Sequence, residues 1–468
     1  MNPIVRVFGV TALLALMVVL LGKPILDAAG GRATAREGGP RSPAPVLPTP
    51  TPTTAPPEET PTPPPTQAAP GEPLLVGQFP DACLQQADAV EGAGLVAAWH
   101  ENRVQIAATD GNAIAELPDV RPPIQWSASG RFLVTRGPQL WTSEGESLGP
   151  FIHLASGAEI AAPDRGVAWS PVADCALVMV GDSAGSPEVS LLVARPSVDP
   201  IELLRGDIRD VAFSPDGDRL AFVAKQGGRP AAGFEVWSLD LESGTLNRLL
   251  GFEDGSSQVV LGGWAGADIL YWAAPGVSVA ADGWELSGVS GNGAIRVYTR
   301  GATMLTGSPP SFLEPCADRL VGVLGGDRSF DPTGSGQTRS GSPPRLAFLE
   351  ANRRPEFITP EGETYYSPTC SPDDRYLVAI AGEGAARRLT LLDSSGAFLR
   401  TLTIDEGYAD KLAVWGPSGT GVLFQRAPSG GGADVLWFIA EGAPARSLNL
   451  NVASFDWSAE RPSGLLGE

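Results

Sequence analysis

Few side chains in this sequence are suited to chemistry. There are two histidines in 468 residues, His100 and His153. That number excludes a His-rich metal site, and each histidine reads as an ordinary polar residue at a strand end or before a turn. The segment Gly181-Asp-Ser-Ala-Gly185 fits the G-x-S-x-G pattern of a serine nucleophile. Such an elbow needs a strand before it, a helix after it, and a later acid and histidine. Neither histidine follows Ser183, and the segment falls between two strand-like runs, so it reads as a chance match. No D-x-D-x-D-G calcium loop, no P-loop and no G-x-G-x-x-G in strand–helix context occurs. The sequence predicts no catalytic residue, no metal and no cofactor.

Charge narrows the partners. The formal net charge is −20 and the pI about 4.6. An acidic surface repels phosphate backbones, so no nucleic-acid partner is expected. The first residues carry a targeting pattern. Arg6 precedes the apolar run Val7 to Gly22, and Lys23-Pro24 follows it. Sixteen residues of helix are about 24 Å long, short of the roughly 30 Å hydrocarbon core. Ile25 and Leu26 extend the run if Lys23 snorkels. Residues 1–27 are therefore expected to form a hydrophobic helix that serves as an uncleaved, single-pass membrane anchor. The alternative is a signal peptide cut near Ala33-Thr-Ala35. No cysteine follows the run, so a lipid attachment site is missing. Under either reading the remaining chain is exported.

Residues 28–73 are rich in Pro, Thr and Ala, as in Pro61-Thr-Pro-Pro-Pro65. Such a stretch has little apolar surface to offset its ordering entropy. It is expected to be a disordered, extended spacer, up to roughly 100 Å at about 3 Å per residue.

From 74 to 468 the pattern changes to short β-rich runs punctuated by Gly, Pro, Asp and Ser. The best-formed unit is Val211-Ala-Phe-Ser-Pro-Asp-Gly-Asp-Arg-Leu-Ala-Phe222, which reads as strand, tight turn, strand. Leu220 to Ala224 is apolar on both sides, as a strand sandwiched between two layers must be. Counterparts of this unit centre on Trp126, Trp169, Phe213, Trp264, Phe312, Cys370, Trp415 and Trp457, at spacings of 42 to 58 residues. A four-stranded propeller blade needs about 40–50 residues. The expected fold class is thus all-β, a β-propeller of four-stranded blades. Eight blades are favoured, with seven as runner-up. Leu95–His100, Arg103–Ala108 and Ala113–Leu117 supply three strands with no first strand ahead of them, while Ser454–Ser458 is a first strand with nothing after it. The C-terminal strand is therefore expected to close the first blade, which removes the exposed edges of an open ring.

The segments Phe213-Ser-Pro-Asp-Gly-Asp-Arg-Leu-Ala-Phe222 and Ser371-Pro-Asp-Asp-Arg-Tyr-Leu-Val378 resemble the repeat of TolB-like propellers, also found in the propeller domains of prolyl-oligopeptidase-type enzymes. The resemblance spans roughly 90–460 and implies a fold, not an activity. The Gly-His and Trp-Asp signatures of WD repeats are missing, so that family is a poorer match. Prolyl-oligopeptidase-type enzymes carry a hydrolase domain beside the propeller; with the repeats running from about 90 to the end of the sequence, none is expected here.

The repeat frame also places the cysteines. Cys316 and Cys370 both sit around the first strand of neighbouring blades, so they are expected to pair. Cys83 and Cys175 then pair by elimination, joining the start of the propeller to its third blade. Insertions between second and third strands, such as 226–233 and 325–344, are expected to crowd onto one face. Binding residues concentrate on loops held by a rigid scaffold. Lys225, Arg229, Asp327, Arg328, Asp331 and Arg339 are the candidate contacts on that face. The expected function is a monomeric, non-catalytic binding or scaffolding module in the cell envelope, directed at a protein, peptide or glycan. The alternative is a hydrolase or lyase that uses carboxylates at the central channel mouth.

Overall fold

The computed structural model describes residues 72–88, 94–153, 159–160, 167–181, 188–225, 233–251, 258–274, 284–302, 313–316, 319–326, 342–403, 407–416, 419 and 421–458. All belong to one compact unit, Thr66–Glu468. The segments expected to form the anchor, 1–27, and most of the spacer, 28–73, lie outside the described residues. Among the described residues no helix is long and apolar enough to cross a membrane.

Local structure starts at the turn. In Ser214–Asp218 the Ser214 hydroxyl accepts the Arg219 N–H at 3.0 Å, and Gly217 N–H donates to the Ser214 carbonyl at 2.9 Å. Gly217 has φ +74°, and a Cβ there would lie 2.6 Å from Val172 Cγ2 of the preceding blade. Backbone conformation and packing therefore both require glycine at this position. The weaker copies keep this geometry. Gly130 N–H bonds Ser127 O at 2.9 Å, Asp374 N–H bonds Ser371 O at 2.8 Å, and Gly419 N–H bonds Gly416 O at 2.9 Å.

Eight antiparallel sheets follow, arranged as a β-propeller. Each is labelled by its strands A to D from the channel outward. Blade 1 is Ser454–Trp457, Leu95–His100, Arg103–Ala108 and Ala113–Pro118. Blade 2 is Gln125–Trp126, Phe132–Thr135, Gln139–Thr142 and Ser147–Pro150. Blade 3 is Ala168–Trp169, Ala176–Gly181, Val189–Arg195 and Val198–Gly206. Blade 4 is Ile208–Phe213, Arg219–Lys225, Phe234–Asp240 and Leu246–Gly251. Blade 5 is Gln258–Ala265, Asp268–Ala274, Trp284–Val289 and Ile295–Ala302. Blade 6 is Leu313–Cys316, Arg319–Gly326, Ser342–Leu349 and Glu356–Phe357. Blade 7 is Tyr365–Cys370, Tyr376–Ala381, Arg388–Asp393 and Phe398–Thr401. Blade 8 is Tyr408–Trp415, Gly421–Pro428, Val435–Ala440 and Arg446–Asn451. The fold class and the favoured count of eight are as the sequence predicts.

The core is divided into eight buried clusters, one between each pair of successive blades. The period-2 alternation of strand B explains why. Leu220, Phe222 and Ala224 pack toward blade 3, while Ala221 and Val223 pack toward blade 5. No blade buries its faces alone, so the ring must close. Closure is by the C-terminal strand, with Val96 opposite Trp457 and Ala98 opposite Phe455. Ser458 Oγ then accepts the Leu95 N–H at 2.8 Å. Of the tryptophans that end strand A, Trp126, Trp264 and Trp457 are buried between blades, and Trp169 and Trp415 are half-buried.

Two features go beyond the repeat pattern. Leu74–Leu75 adds a fifth strand to the outer edge of blade 3, on Val198–Gly206. Glu159–Ile160 pairs with the far end of strand B of the same blade, beside Ala168–Trp169. Both disulfides connect as expected, Cys83 to Cys175 and Cys316 to Cys370, with Cα separations of 5.6 and 5.7 Å. In the chain-entropy account, each closes a loop long enough to contribute about 4 kcal/mol.

Blade 8 contains a buried charge pair that the sequence does not announce. Arg426 is 1% exposed and Asp410 0% exposed. Arg426 Nε donates to Asp410 Oδ1 at 2.8 Å. The guanidinium lies 5.0 Å from the Tyr408 ring and 4.9 Å from that of Trp437. Asp410 Oδ2 also accepts from Leu389 N–H at 2.7 Å and from the Thr403 hydroxyl, joining blades 7 and 8. Arg426→Met should cost about 3–5 kcal/mol in chemical denaturation, because it strands a buried carboxylate. Adding Asp410→Asn, which keeps an acceptor for Leu389, should recover more than half of that loss.

Candidate functional site

Strand A of each blade lines the central channel, and A strands of successive blades run alongside one another. An A strand has a ladder partner on one side only, so its other edge offers unpaired backbone N–H groups. At four blade boundaries, among the described residues, a side chain answers them. Asp456 Oδ2 of blade 1 accepts from Trp126 N–H of blade 2 at 2.7 Å. Gln125 Oε1 of blade 2 accepts from Val167 N–H, at the start of blade 3, at 3.1 Å. Asp210 Oδ2 of blade 4 accepts from Leu261 N–H of blade 5 at 3.1 Å. Glu314 Oε1 of blade 6 accepts from Cys370 N–H and the Thr369 hydroxyl of blade 7, each at 3.3 Å. At that last boundary the Cys316–Cys370 disulfide is a second, covalent link.

Two of these carboxylates, Asp456 and Glu314, are desolvated. Burial pushes Asp456 up to about 6, against the lowering effect of the N–H groups of Trp126 and Trp457. Burial likewise raises Glu314 above its usual range, opposed by Cys370 N–H and Thr369. Asp456 is surrounded by protein, and the surface it keeps lines a cavity of about 520 Å³ shared with Trp126, Trp169 and Phe455. A second cavity of about 500 Å³ adjoins it. The two have Gln125, Val167, Ala168 and Trp169 in common, and the second continues past Asp210, Phe213 and Trp264 to Pro315. The lining is aromatic and apolar, with two acidic side chains set into it.

The residues expected to bind are placed only in part. Lys225 ends strand B of blade 4, where its backbone N–H donates to Asp207 O at 2.8 Å. Arg229, Asp327, Arg328, Asp331 and Arg339 lie outside the described residues, as does Ser183 of the G-x-S-x-G match. The loop between the second and third strands of blade 8, residues 428–432, is folded into a turn with Gly431 N–H on Pro428 O at 3.1 Å. His100 ends strand B of blade 1 and His153 follows blade 2, so the two histidines belong to different blades. No cluster of three or more metal-ligating side chains occurs among the described residues. The channel acceptors were missed at the sequence level. An isolated Asp, Glu or Gln in an alternating strand looks like any solvent-facing polar residue, and Asp456 lies 330 positions from its donor Trp126.

Asp456 supplies a pH-dependent test. Its folded value is raised, so the stability that its protonation contributes is complete below about 4 and is lost as pH rises through about 6. Asp456→Asn keeps an acceptor for Trp126 and removes the charge. In thermal denaturation the variant should match the native protein near pH 4. Above pH 7 it should be more stable by up to about 2 kcal/mol, a figure discounted for the carboxyl's remaining contact with solvent. Asp456→Ala should be destabilised at both pH values, by about 1–3 kcal/mol, because Trp126 N–H loses its acceptor.

No family model matches the sequence, and no curated protein matches it. Solved structures share the fold. The propeller domain of the trilobed protease from Pyrococcus furiosus aligns with 78% of this chain and 98% of that one, at 11% identity and a TM-score of 0.42. A prolyl endopeptidase aligns with 78% of this chain and 50% of that one, at 12% identity and a TM-score of 0.47, so this chain spans about half its length. The dihydro-heme d1 dehydrogenase NirN, in complex with DHE, aligns with 82% of this chain and 79% of that one, at 15% identity and a TM-score of 0.50. At such identities the likeness is one of architecture, and the chain is a β-propeller similar in fold to these proteins.

Proposed function

We propose that this protein is a non-catalytic, exported β-propeller that binds its ligand or partner in the central channel, as a module of the cell envelope. The carrying observation is the character of the channel. Aromatic and proline side chains line it, a composition typical of ligand sites. Asp456, Asp210 and Glu314 each accept main-chain N–H groups of the next blade. Their first role is therefore to position strands. Export is supported by two disulfides, which persist in oxidising compartments. Residues 1–27 would anchor the module and 28–73 would space it from the bilayer. Membership of the TolB-like propellers is part of the same proposal.

One observation favours a second reading, a hydrolase or lyase. Asp456 holds its proton to about pH 6, inside the range of a general acid. In that case Asp456→Asn would abolish turnover of a glycan or peptide substrate.

The test is recovery of partners from envelope extracts by the full chain, followed by mass spectrometry. Pro315 is exposed on the channel wall, and Phe398 is exposed on the outer strand of blade 7. Pro315→Arg should lose the specific partner, at least about tenfold, while Phe398→Ser should retain it. Equal recovery by both variants would falsify the channel reading.

A further inference from the structure

We infer that the groove between blades 7 and 8 is a docking site for a partner peptide, which inserts one large apolar side chain and sets an acidic residue just ahead of it against Arg400. The site lies apart from the central channel: among the described residues its cavity shares no lining side chain with either channel cavity.

Three observations carry it. The first is an equivalent groove that this chain fills itself. Residues 72–88 form a strap across the boundary of blades 3 and 4. Val76 N–H donates to Leu203 O at 2.9 Å, on the outer strand of blade 3. Phe79, 6% exposed, then meets the Phe213 ring of blade 4 edge to face, with centroids 6.1 Å apart. Cys83 is fully buried and bonded to Cys175. Phe79 and Cys83 thereby complete a cluster with Val193, Leu203, Leu220 and Leu239.

The second observation is that blades 7 and 8 form the same groove and leave it as a cavity of about 100 Å³. Strand register aligns the two boundaries residue by residue. Leu391, Leu402, Trp415 and Ile439 line the cavity and stand where Val193, Leu203, Phe213 and Leu239 stand. An apolar cavity of roughly 150 Å³ holds a benzene ring, so this one takes the end of a single apolar side chain. The third is charge. Arg400 occupies the position of Ile201, which the strap passes at Gly77, two residues before Phe79. An acid one or two residues ahead of the inserted side chain therefore meets an arginine here. Arg375, the other cation lining the cavity, is bonded to Asp373. Glu441, exposed on the blade 8 side, replaces Leu241 and disfavours an acid there, so charge sets the direction in which the peptide lies. The Pro-rich segment 28–73 of this chain does not match: its large apolar residues are Val46 and Leu47, and Ala44 and Pro45 precede them. The complementary segment belongs to another protein.

Fluorescence anisotropy on the full chain tests the assignment with three fluorescein-labelled peptide amides. The first, Leu-Val-Asp-Asp-Phe-Pro, is residues 75–80 with aspartate in place of Gly77 and Gln78. The second carries glutamine at both of those positions. The third keeps the aspartates and has serine in place of phenylalanine. The aspartate–phenylalanine peptide should bind at least about tenfold more tightly than the serine peptide and about threefold more tightly than the glutamine peptide. Arg400→Glu, an exposed substitution, should weaken the aspartate peptide about tenfold and leave the glutamine peptide unchanged. Leu402→Trp, which fills the groove, should weaken both about tenfold, with the unfolding midpoint recorded to show that the propeller persists. Equal binding of the phenylalanine and serine peptides, or no anisotropy change at about 1 mM protein, would overturn the groove as a docking site. An aspartate peptide bound no more tightly than the glutamine peptide, or untouched by Arg400→Glu, would overturn the acidic partner. Loss of binding in Pro315→Arg would place the peptide in the channel and overturn the assignment to this groove.

Discussion

Everything in this fold depends on a strand that is apolar on both faces. Leu220, Phe222 and Ala224 need a layer on one side, and Ala221 and Val223 need one on the other. A sheet built on such a strand cannot be an outer layer. Each blade therefore requires two neighbours, and a finite set of blades meets that condition only as a ring. The eight interblade clusters are the direct expression of this constraint. Joining the last strand to the first blade is its consequence, since an open ring would leave Val96 and Leu423 of one cluster without their partners.

Within the ring, the channel is where the demands of fold and function meet. An innermost strand has an edge that no further strand covers. Side-chain acceptors from the preceding blade cover part of that edge, at Asp456, Gln125, Asp210 and Glu314. The same positions put acidic groups on an aromatic wall. Desolvation then raises Asp456 and Glu314, as expected for carboxylates held by neutral donors instead of cations. The buried pair in blade 8 represents the opposite solution. There Arg426 neutralises Asp410, and the aromatic rings around the guanidinium replace the water it gave up.

Most of the architecture was legible in the sequence because it is local and repeated. A Ser-Pro-Asp-Gly turn flanked by apolar runs specifies two strands and their register, and eight such marks specify the blades. The apolar run Leu220 to Ala224 lies within the strand Arg219–Lys225, and the expected strand Leu95–His100 is identical in the structure. The lone first strand at the C-terminus and the missing one at the N-terminus identified the closure. The cysteine pairs followed from the same frame, because neighbouring blades bring like positions together. The strand Leu74–Leu75 was not legible: two leucines after a Pro-rich stretch carry no periodicity.

By itself, then, the sequence determined the all-β class, the blade length, the turn chemistry and the sealing of the ring, all of which arise from side-chain patterns within a few tens of residues. Tertiary structure alone decided which polar side chains meet. Asp456 and Trp126 are 330 residues apart and become neighbours only because closing the ring brings the two ends of the chain together. Whether a carboxylate meets an arginine, as at Asp410, or a backbone N–H beside an aromatic cavity, as at Asp456, depends on what the next blade presents across the boundary. No spacing rule within one strand encodes that choice.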